Sequence, residues 1–154
     1  MNLVDELYEI TAALTTAGIR YAVCGGVAVT IYGATRSTKD IDLLVMPADV
    51  PRVLDAVRPL GYVFAALPMT FGAGTERERH VQRVSKIEGK EHLLLDLLVA
   101  DAAFEGALDD RIEVHLPEGP VTVVSRAMLI RMKRLAGRAQ DLADIEKLEV
   151  TDEQ

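Results

Sequence analysis

The stretch that decides the fold is Tyr21–Val45, with the sequence YAVCGGVAVTIYGATRSTKDIDLLV. A short apolar run, Tyr21–Cys24, precedes a pair of glycines, and an apolar segment of helical length follows. A polar segment then leads to Asp40 and Asp42, at the head of a second apolar run. This order predicts a strand, a glycine turn, a helix and a strand that carries two carboxylates. A β-α-β order also predicts a right-handed crossover between neighbouring strands.

Hydrophobic periodicity predicts the elements around this stretch. Helices are expected at residues 2–17, 27–32, 48–58, 125–136 and 139–150, and strands at residues 19–24, 40–46, 62–66, 79–87, 92–99, 112–116 and 121–124. Residues 67–78 are expected to form a flexible loop, and residues 100–110 either an acidic loop or a short helix. The result is a single α+β domain over residues 1–154, with a mixed sheet flanked by helices and two helices at the C-terminal end.

Composition limits the class of protein. The 154 residues are 49% hydrophobic and 27% charged, which is typical of one globular domain. One cysteine, Cys24, excludes an internal disulfide and a cysteine metal cluster and fits a reducing cytoplasm. We expect no secretory signal and no membrane span. The net charge of −7 argues against broad coating of nucleic acid, although a local basic groove remains compatible with it.

The glycine pair Gly25 and Gly26 precedes a predicted helix. Glycine lets the backbone approach a ligand closely and adopt positive φ, and free N–H groups at a helix N-terminus attract anions. The pair therefore fits a phosphate-binding turn. The alternative is a tight strand-to-helix turn without a ligand, and the pair alone does not decide between them.

Asp40 and Asp42 point to the same side of the predicted strand, because side chains alternate along a strand. Their carboxylates are expected within about 7 Å of each other, close enough to share or bridge hard cations. Ile41 and Leu43 would then face the buried side. Two like charges held together need a cation or an arginine nearby. The alternative is a solvated strand end, where aspartates are common.

Asp96 interrupts the run His92–Val99, which otherwise predicts a fully buried strand. Aspartate is depleted in strands, and burying it without a partner is costly. A metal ion shared with Asp40 and Asp42 would supply a partner. A salt bridge, to Arg79 or to Arg83, would supply one as well.

Three carboxylates in one place suit a phosphoryl-transfer reaction that depends on Mg²⁺, or on Mn²⁺ in its place. Mg²⁺ takes oxygen ligands from carboxylates, substrate phosphates and water. Two such ions about 4 Å apart can hold both the attacking and the leaving oxygen. Asp96 is the candidate to orient or deprotonate the attacking hydroxyl. The predicted metal ligands are Asp40, Asp42 and Asp96.

Positive charge is concentrated in one segment of this acidic chain, at Arg77, Arg79, His80, Arg83 and Lys86. The segment could form a groove for an RNA end or for a triphosphate. It could equally be the exposed face of a hairpin.

The segment GGVAVTIYGATRSTKDIDLLV resembles the nucleotidyltransferase superfamily, which includes DNA polymerase beta. More narrowly, it resembles the small bacterial AbiEii-type proteins, which include toxins of toxin–antitoxin systems. The family pattern is a Gly-Gly or Gly-Ser turn, an Asp-x-Asp strand and a third carboxylate on a later strand. The residues that carry the resemblance are Gly25, Gly26, Arg36, Thr38, Asp40 and Asp42, with Asp96 as the third acid.

The C-terminal part carries the rest of the resemblance. The family has a lysine on a late helix and then a Lys/Arg-x-x-Asp-x-x-Asp type run. Lys133 matches the lysine, and Arg138–Asp144 matches the run in part, with Gln140 where a lysine is common. Apart from the family, Lys133 lies off the apolar stripe of its helix and could simply be solvated. Asp141 and Asp144 could cap the last helix or pair with a nearby cation.

The resemblance implies metal-dependent transfer of a nucleoside monophosphate from a nucleoside triphosphate to an acceptor hydroxyl, such as one on tRNA or protein in the case of a toxin. The implied nucleotide-binding residues are Gly25, Gly26, Arg36, Thr38 and Lys133, and the implied catalytic residues are Asp40, Asp42, Asp96 and Lys133. Two alternatives remain open. One is transfer to a small molecule such as an antibiotic. The other is a catalytically silent domain of the same fold that acts through a protein partner, as an antitoxin or regulatory subunit would.

Overall fold

The computed structural model of the chain describes residues 1–34 and 38–152. The α-helices are α1 Leu3–Thr16, α2 Gly25–Ile31, α3 Val50–Val57, α4 Arg126–Ala136 and α5 Ala139–Asp152. The strands are β1 Tyr21–Cys24, β2 Asp40–Val45, β3 Tyr62–Ala65, β4 Met69–Phe71, β5 Arg79–Glu88, β6 Glu91–Val99, β7 Ile112–Leu116 and β8 Gly119–Val123. Short 3₁₀ helices are present at Pro47–Asp49, Arg58–Leu60 and Ala102–Phe104. The predicted α+β class is confirmed. In the part of the chain that the structure describes, no helix is long and apolar enough to cross a bilayer.

Capping residues account for the ends of two helices. Asn2 Oδ1 accepts hydrogen bonds from two backbone N–H groups in the first turn of α1. Ser125 Oγ, at the N-cap of α4, accepts one from the N–H of Met128. Gly137, with φ of +65°, ends α4 in the left-handed conformation that favours glycine. The end of α4 matters because the next helix packs back against it.

The eight described strands form one mixed sheet in the order β3-β5-β6-β2-β1-β8-β7, and β4 pairs with the remaining length of β5. β2 runs parallel to β6, and β1 runs parallel to β8. The other neighbouring strands are antiparallel. The sheet therefore brings together strands that are far apart in sequence, with β2 between β1 and β6.

The predicted crossover between the first two strands is wrong. β1 and β2 are neighbours, but they run antiparallel, and Cys24 at the end of β1 lies opposite Asp42 near the start of β2. The connection thus leaves and re-enters the sheet at one end, so α2 does not cross it. This return has a consequence for the site. A parallel crossover would have placed Asp42 at the other end of the sheet from the glycine pair.

One face of the central strands is buried in the core that includes residues of α1 and α3. Ile41 and Leu43 are completely buried, as their alternation with the aspartates predicted, and so are Leu95 and Leu97 of β6. Each apolar side chain of this size contributes about 1.5–3 kcal/mol by burial. The core fixes β2 and β6 side by side, and their polar side chains point to the other face.

One segment differs from its predicted conformation. Residues 69–71, within the predicted loop, form β4 and pair with the first residues of β5. Three residues are too few to show an alternating pattern, so the loop prediction missed them. Residues 100–110, for which an acidic loop and a short helix were both open, contain the short 3₁₀ helix Ala102–Phe104.

Candidate active site

A pocket of about 600 Å³ lies on the polar face of the sheet. The predicted site residues that line it are Gly25, Gly26, Thr38, Asp40, Asp42, Asp96 and Lys133. They come from the start of α2, the approach to β2, β2 itself, β6 and α4. Arg36 lies outside the residues that the structure describes. The fold thus brings together groups that are more than 100 positions apart in sequence.

Asp42 lies directly against the glycine pair. α2 begins at Gly25 itself, two residues earlier than predicted. A Cβ on Gly25 would lie 2.0 Å from Asp42 Oδ2, and the φ of Gly25 is +66°. Both the backbone and the neighbouring carboxylate therefore require glycine at this position. The adjacent Cys24 packs in the core, where burial and then the charge of Asp42 raise the pKa of its thiol.

Asp42, Asp96 and Arg83 form a row across three strands. Asp42 of β2 is in register with Asp96 of β6, and Asp96 is in register with Arg83 of β5. Arg83 Nε donates to Asp96 Oδ1 at 2.8 Å, and Arg83 Nη2 donates to Asp96 Oδ2 at 3.0 Å. The salt bridge that the sequence left open as an alternative is therefore present. It satisfies both oxygens of a carboxylate that belongs to a buried residue.

Asp40 and Thr38 form the part of the wall before β2. Asp40 is in register with Leu94 of β6 and is partly exposed. The Thr38 hydroxyl donates to the backbone carbonyl of Asp40 at 3.3 Å, which helps hold this end of the strand. The carboxylate of Asp40 therefore faces the pocket beside that of Asp42, as strand alternation predicted.

Lys133 is buried, although its position off the apolar stripe left solvation open. Its Nζ lies 3.3 Å from Asp141 Oδ1 and 3.1 Å from Asp144 Oδ2, both on α5. Arg138 Nε donates to Asp141 Oδ2 at 2.7 Å. Burial alone would raise the pKa of Asp141, but the hydrogen bonds from Arg138 and the charge of Lys133 outweigh it and lower that pKa. The two aspartates thus pair with cations, one of the predicted alternatives, and fix the lysine at the pocket.

The cationic segment of β5 does not form one surface. Arg79 and Arg83 line the pocket, with the guanidinium of Arg79 5.3 Å from the ring centre of Phe71. Lys86 pairs instead with the buried Glu6 of α1, at 2.6 Å. His80 Nδ1 lies 2.9 Å from Asp101 Oδ1, and the hydrogen bond with Asp101 raises the pKa of His80. Strand alternation separates these cations, so the expected groove retains only part of them.

Several pocket residues carried no signal in the sequence. Met69 and Phe71 belong to the three-residue strand β4, and Phe104 to a 3₁₀ turn. Arg138 also lines the pocket, although the sequence presented it only as part of a charged run. Their position near the aspartates results from the topology of the fold alone.

The pocket offers a partial set of metal ligands. Within residues 1–34 and 38–152, no three His, Cys, Asp or Glu side chains are arranged to hold a metal ion together. Asp96 is paired with Arg83, and Asp40 and Asp42 line the same pocket. Mg²⁺ is commonly bound by one or two carboxylates, with substrate phosphates and water completing its shell. The residues present therefore fit Mg²⁺ held by Asp40 and Asp42, and the three-carboxylate site stays a prediction.

Comparison with known proteins gives likeness in structure only. No protein-family model matches the chain. No curated protein matches it either. Among solved structures, the candidate nucleotidyltransferase TM1012 of Thermotoga maritima aligns over 98% of this chain and 93% of its own, with 12% identity and a TM-score of 0.65.

Two antibiotic-modifying enzymes are similar over nearly the whole chain. The lincosamide antibiotic adenylyltransferase LnuA, bound to lincomycin, aligns over 96% of both chains with 16% identity and a TM-score of 0.59. ANT(2″)-Ia, in complex with adenylyl-2″-tobramycin, aligns over 96% of this chain and 93% of its own, with 17% identity and a TM-score of 0.56. The chain therefore has the nucleotidyltransferase fold.

Proposed function

We propose that the chain is a metal-dependent nucleotidyltransferase. It would transfer a nucleoside monophosphate from a nucleoside triphosphate to an acceptor hydroxyl. The observation that carries the proposal is the position of Asp42, which lies against the glycines at the start of α2 and in register with Asp96. A phosphate-binding backbone and paired carboxylates then share one pocket with a buried lysine.

Each pocket residue has a role in this proposal. The backbone at Gly25 and Gly26 would accept the triphosphate, because it has no side chain in the way and lies at a helix start. Lys133, held by its two aspartates, would place a positive charge against phosphate oxygens. Asp40 and Asp42 would hold Mg²⁺, with Mn²⁺ as the alternative. When bound, the ion neutralises charge that develops on the transferred phosphoryl group.

The reaction balances as a displacement at the α-phosphorus. The acceptor hydroxyl oxygen forms the new P–O bond, the bond from the α-phosphorus to the α,β-bridging oxygen breaks, and pyrophosphate leaves with the electron pair. A carboxylate of the site takes the hydroxyl proton. Asp96 is the residue that we assign to this role, once its oxygens are available.

For the acceptor, we propose a large molecule such as tRNA or a protein, as in the AbiEii-type toxins, within a reducing cytoplasm. A small-molecule acceptor is the second candidate. LnuA carries lincomycin and ANT(2″)-Ia carries adenylylated tobramycin on chains that this one matches over nearly their full length. A domain of this size can therefore accommodate an antibiotic that carries an adenylyl group.

A silent domain that acts through a protein partner, such as an antitoxin, is the third candidate. The ion pair between Arg83 and Asp96 favours it, because the guanidinium balances the charge of the third carboxylate without a metal ion. This candidate predicts that the chain binds no nucleoside triphosphate in the presence of Mg²⁺.

The test uses each of the four nucleoside triphosphates, labelled on the α-phosphate, with Mg²⁺ and either total RNA, lysate protein, lincomycin or tobramycin. We expect the α-phosphate label to enter one acceptor class. The same nucleotide labelled on the γ-phosphate should leave no label on the acceptor. Asp42→Asn should lower the rate about 100-fold or more, because the lost charge acts on the transition state. Asp55→Asn, on the exposed side of α3, is the matched control and should transfer normally. Absence of transfer to every acceptor, with no Mg²⁺-dependent nucleotide binding, would overturn the proposal.

A further inference from the structure

Asp96 has a different neighbour on each side of the same sheet face. On β2 it meets Asp42 and on β5 it meets Arg83, each directly in register. The row therefore runs acid, acid, base across three adjacent strands. The side chain of Asp96 is 12% exposed and that of Arg83 is 37% exposed, so the guanidinium lies nearer the solvent than the carboxylate that it covers.

The charges of this row explain why the arrangement is stable. Two carboxylates on directly paired residues repel each other, and a buried carboxylate without a partner is costly. The guanidinium donates to both oxygens of Asp96, and such a bidentate salt bridge is stronger than one with a single hydrogen bond. The hydrogen bond to Asp96, and the charges of Asp40 and Asp42 beyond it, raise the pKa of Arg83. Arg83 thus supplies the positive charge that a metal ion would otherwise have to supply.

We propose that Arg83 is a built-in counterion of the candidate site, which competes with a divalent cation for the carboxylate of Asp96. While Arg83 holds both oxygens, the cation binds through Asp40 and Asp42 alone. Release of Arg83 adds Asp96 to the ligands. This inference rests on the proposed function for the identity of the cation, but it concerns a contact between two residues of this chain.

The position of Arg83 gives the released guanidinium somewhere to go. It lines the same pocket as the glycine pair, so its charge would remain beside the phosphates of a bound nucleotide. The cation and the triphosphate would then be favoured together, because the nucleotide offers Arg83 a new anionic partner. Arg83 is accordingly a positioning residue, which decides when the third carboxylate becomes available.

The test is a double-mutant cycle read by Mn²⁺ binding without nucleotide, followed through the electron-spin resonance signal of free Mn²⁺. The variants are Arg83→Met, Asp96→Asn and the double variant. We expect Arg83→Met to bind Mn²⁺ about 10-fold more tightly than the wild type, which is about 1.4 kcal/mol. In the Asp96→Asn background the same change should give no gain, since the competed oxygens are altered. Arg52→Met, which breaks an exposed ion pair with Asp49, is the matched control and should leave Mn²⁺ affinity unchanged.

Two outcomes would overturn the inference. One is an unchanged Mn²⁺ affinity in Arg83→Met. The other is an equal gain in Mn²⁺ affinity with and without the Asp96 carboxylate, which would mean that Arg83 acts only by long-range repulsion of the metal ion. If Arg83→Met fails to fold, Arg83→Lys keeps the charge without the bidentate salt bridge and should show a smaller gain that also requires Asp96. If the wild type transfers nucleotide but the variants show no coupling between Arg83 and Asp96 in Mn²⁺ affinity, this inference alone is overturned. A clear cycle without any transfer would sink only the proposed function.

Discussion

Position 25 shows how one residue sets the geometry of the candidate site. Gly25 has a φ of +66°, and a side chain there would collide with the carboxylate of Asp42. Gly18, after α1, has nearly the same φ of +70°, but a Cβ there would meet nothing within 4 Å. The two glycines share the positive φ and differ in whether a Cβ would contact another side chain. They therefore allow the role of the contact to be measured.

We expect Gly25→Ala to be more harmful than Gly18→Ala. The positive φ alone should lower the free energy of unfolding by about 1 kcal/mol in both variants. Gly25→Ala must also displace Asp42, which should remove about 1–3 kcal/mol more and abolish nucleotide binding. Urea denaturation and nucleotide titration measure the two effects. Equal destabilisation of the variants would show that Asp42 moves away freely.

Single residues also show the limit of sequence reasoning. The burial of Asp96 could be predicted, because a lone acid in an apolar strand stands out from its neighbours. Its actual partner could not be decided, because Arg79 and Arg83 both lie on β5 and only the strand register selects Arg83. Pairing register depends on contacts along the whole strand, which local spacing does not contain.

At the scale of elements, α4 and α5 are joined by two kinds of ion pair. Lys133 with Asp141 is buried, whereas Arg134 with Glu149 is exposed. Both pairs link the same two helices, so they differ mainly in their access to water. Periodicity predicted both helices, but it left solvation of Lys133 open because it considered one helix at a time. The packing of α5 against α4 is what buries the lysine.

We expect Asp141→Asn to destabilise the chain far more than Glu149→Gln. Removing one partner of a buried pair leaves an uncompensated charge, and the loss should be about 3 kcal/mol. The exposed pair should contribute less than about 1 kcal/mol, because water and salt screen it. The measurement is urea denaturation at pH 7. Similar losses in the two variants would mean that the buried network does not connect α4 with α5.

The same comparison has a defined pH dependence. The pKa of Asp141 is lower in the folded chain than its ordinary value, so its ionised form stabilises the fold. That contribution is fully present above the ordinary aspartate pKa of about 4 and is lost as the pH falls through the lower, folded-state pKa. The difference between the wild type and Asp141→Asn should therefore be constant from pH 7 to about pH 5 and shrink below about pH 4. A difference that grew on acidification would have the wrong sign.

At the scale of the whole molecule, topology explains both the success and the failure of prediction. The α+β class, most element positions and the candidate aspartates followed from local patterns. The sense of the β1–β2 connection did not, because the β-α-β order favours a parallel crossover and the chain instead returns antiparallel. Only this return places Asp42 beside Gly25. The parallel pairing of β2 with β6, which joins Asp42 to Asp96, links strands about fifty residues apart and is equally absent from any local pattern.

The whole chain should therefore respond to nucleotide and cation jointly rather than separately. It carries a net charge of −7, and Asp40 and Asp42 face the pocket, so a triphosphate alone meets repulsion. With Mg²⁺ present, a nucleotide at about 100 times its dissociation constant should stabilise the fold by about 2.7 kcal/mol. For a domain of this size, that corresponds to a rise in Tm of roughly 5–10 °C. Thermal unfolding followed by circular dichroism measures it. The rise should disappear with EDTA and in Asp42→Asn, whereas Asp55→Asn should retain it. An equal rise in the presence of EDTA would mean that the nucleotide binds without a cation, and that the paired aspartates have another role.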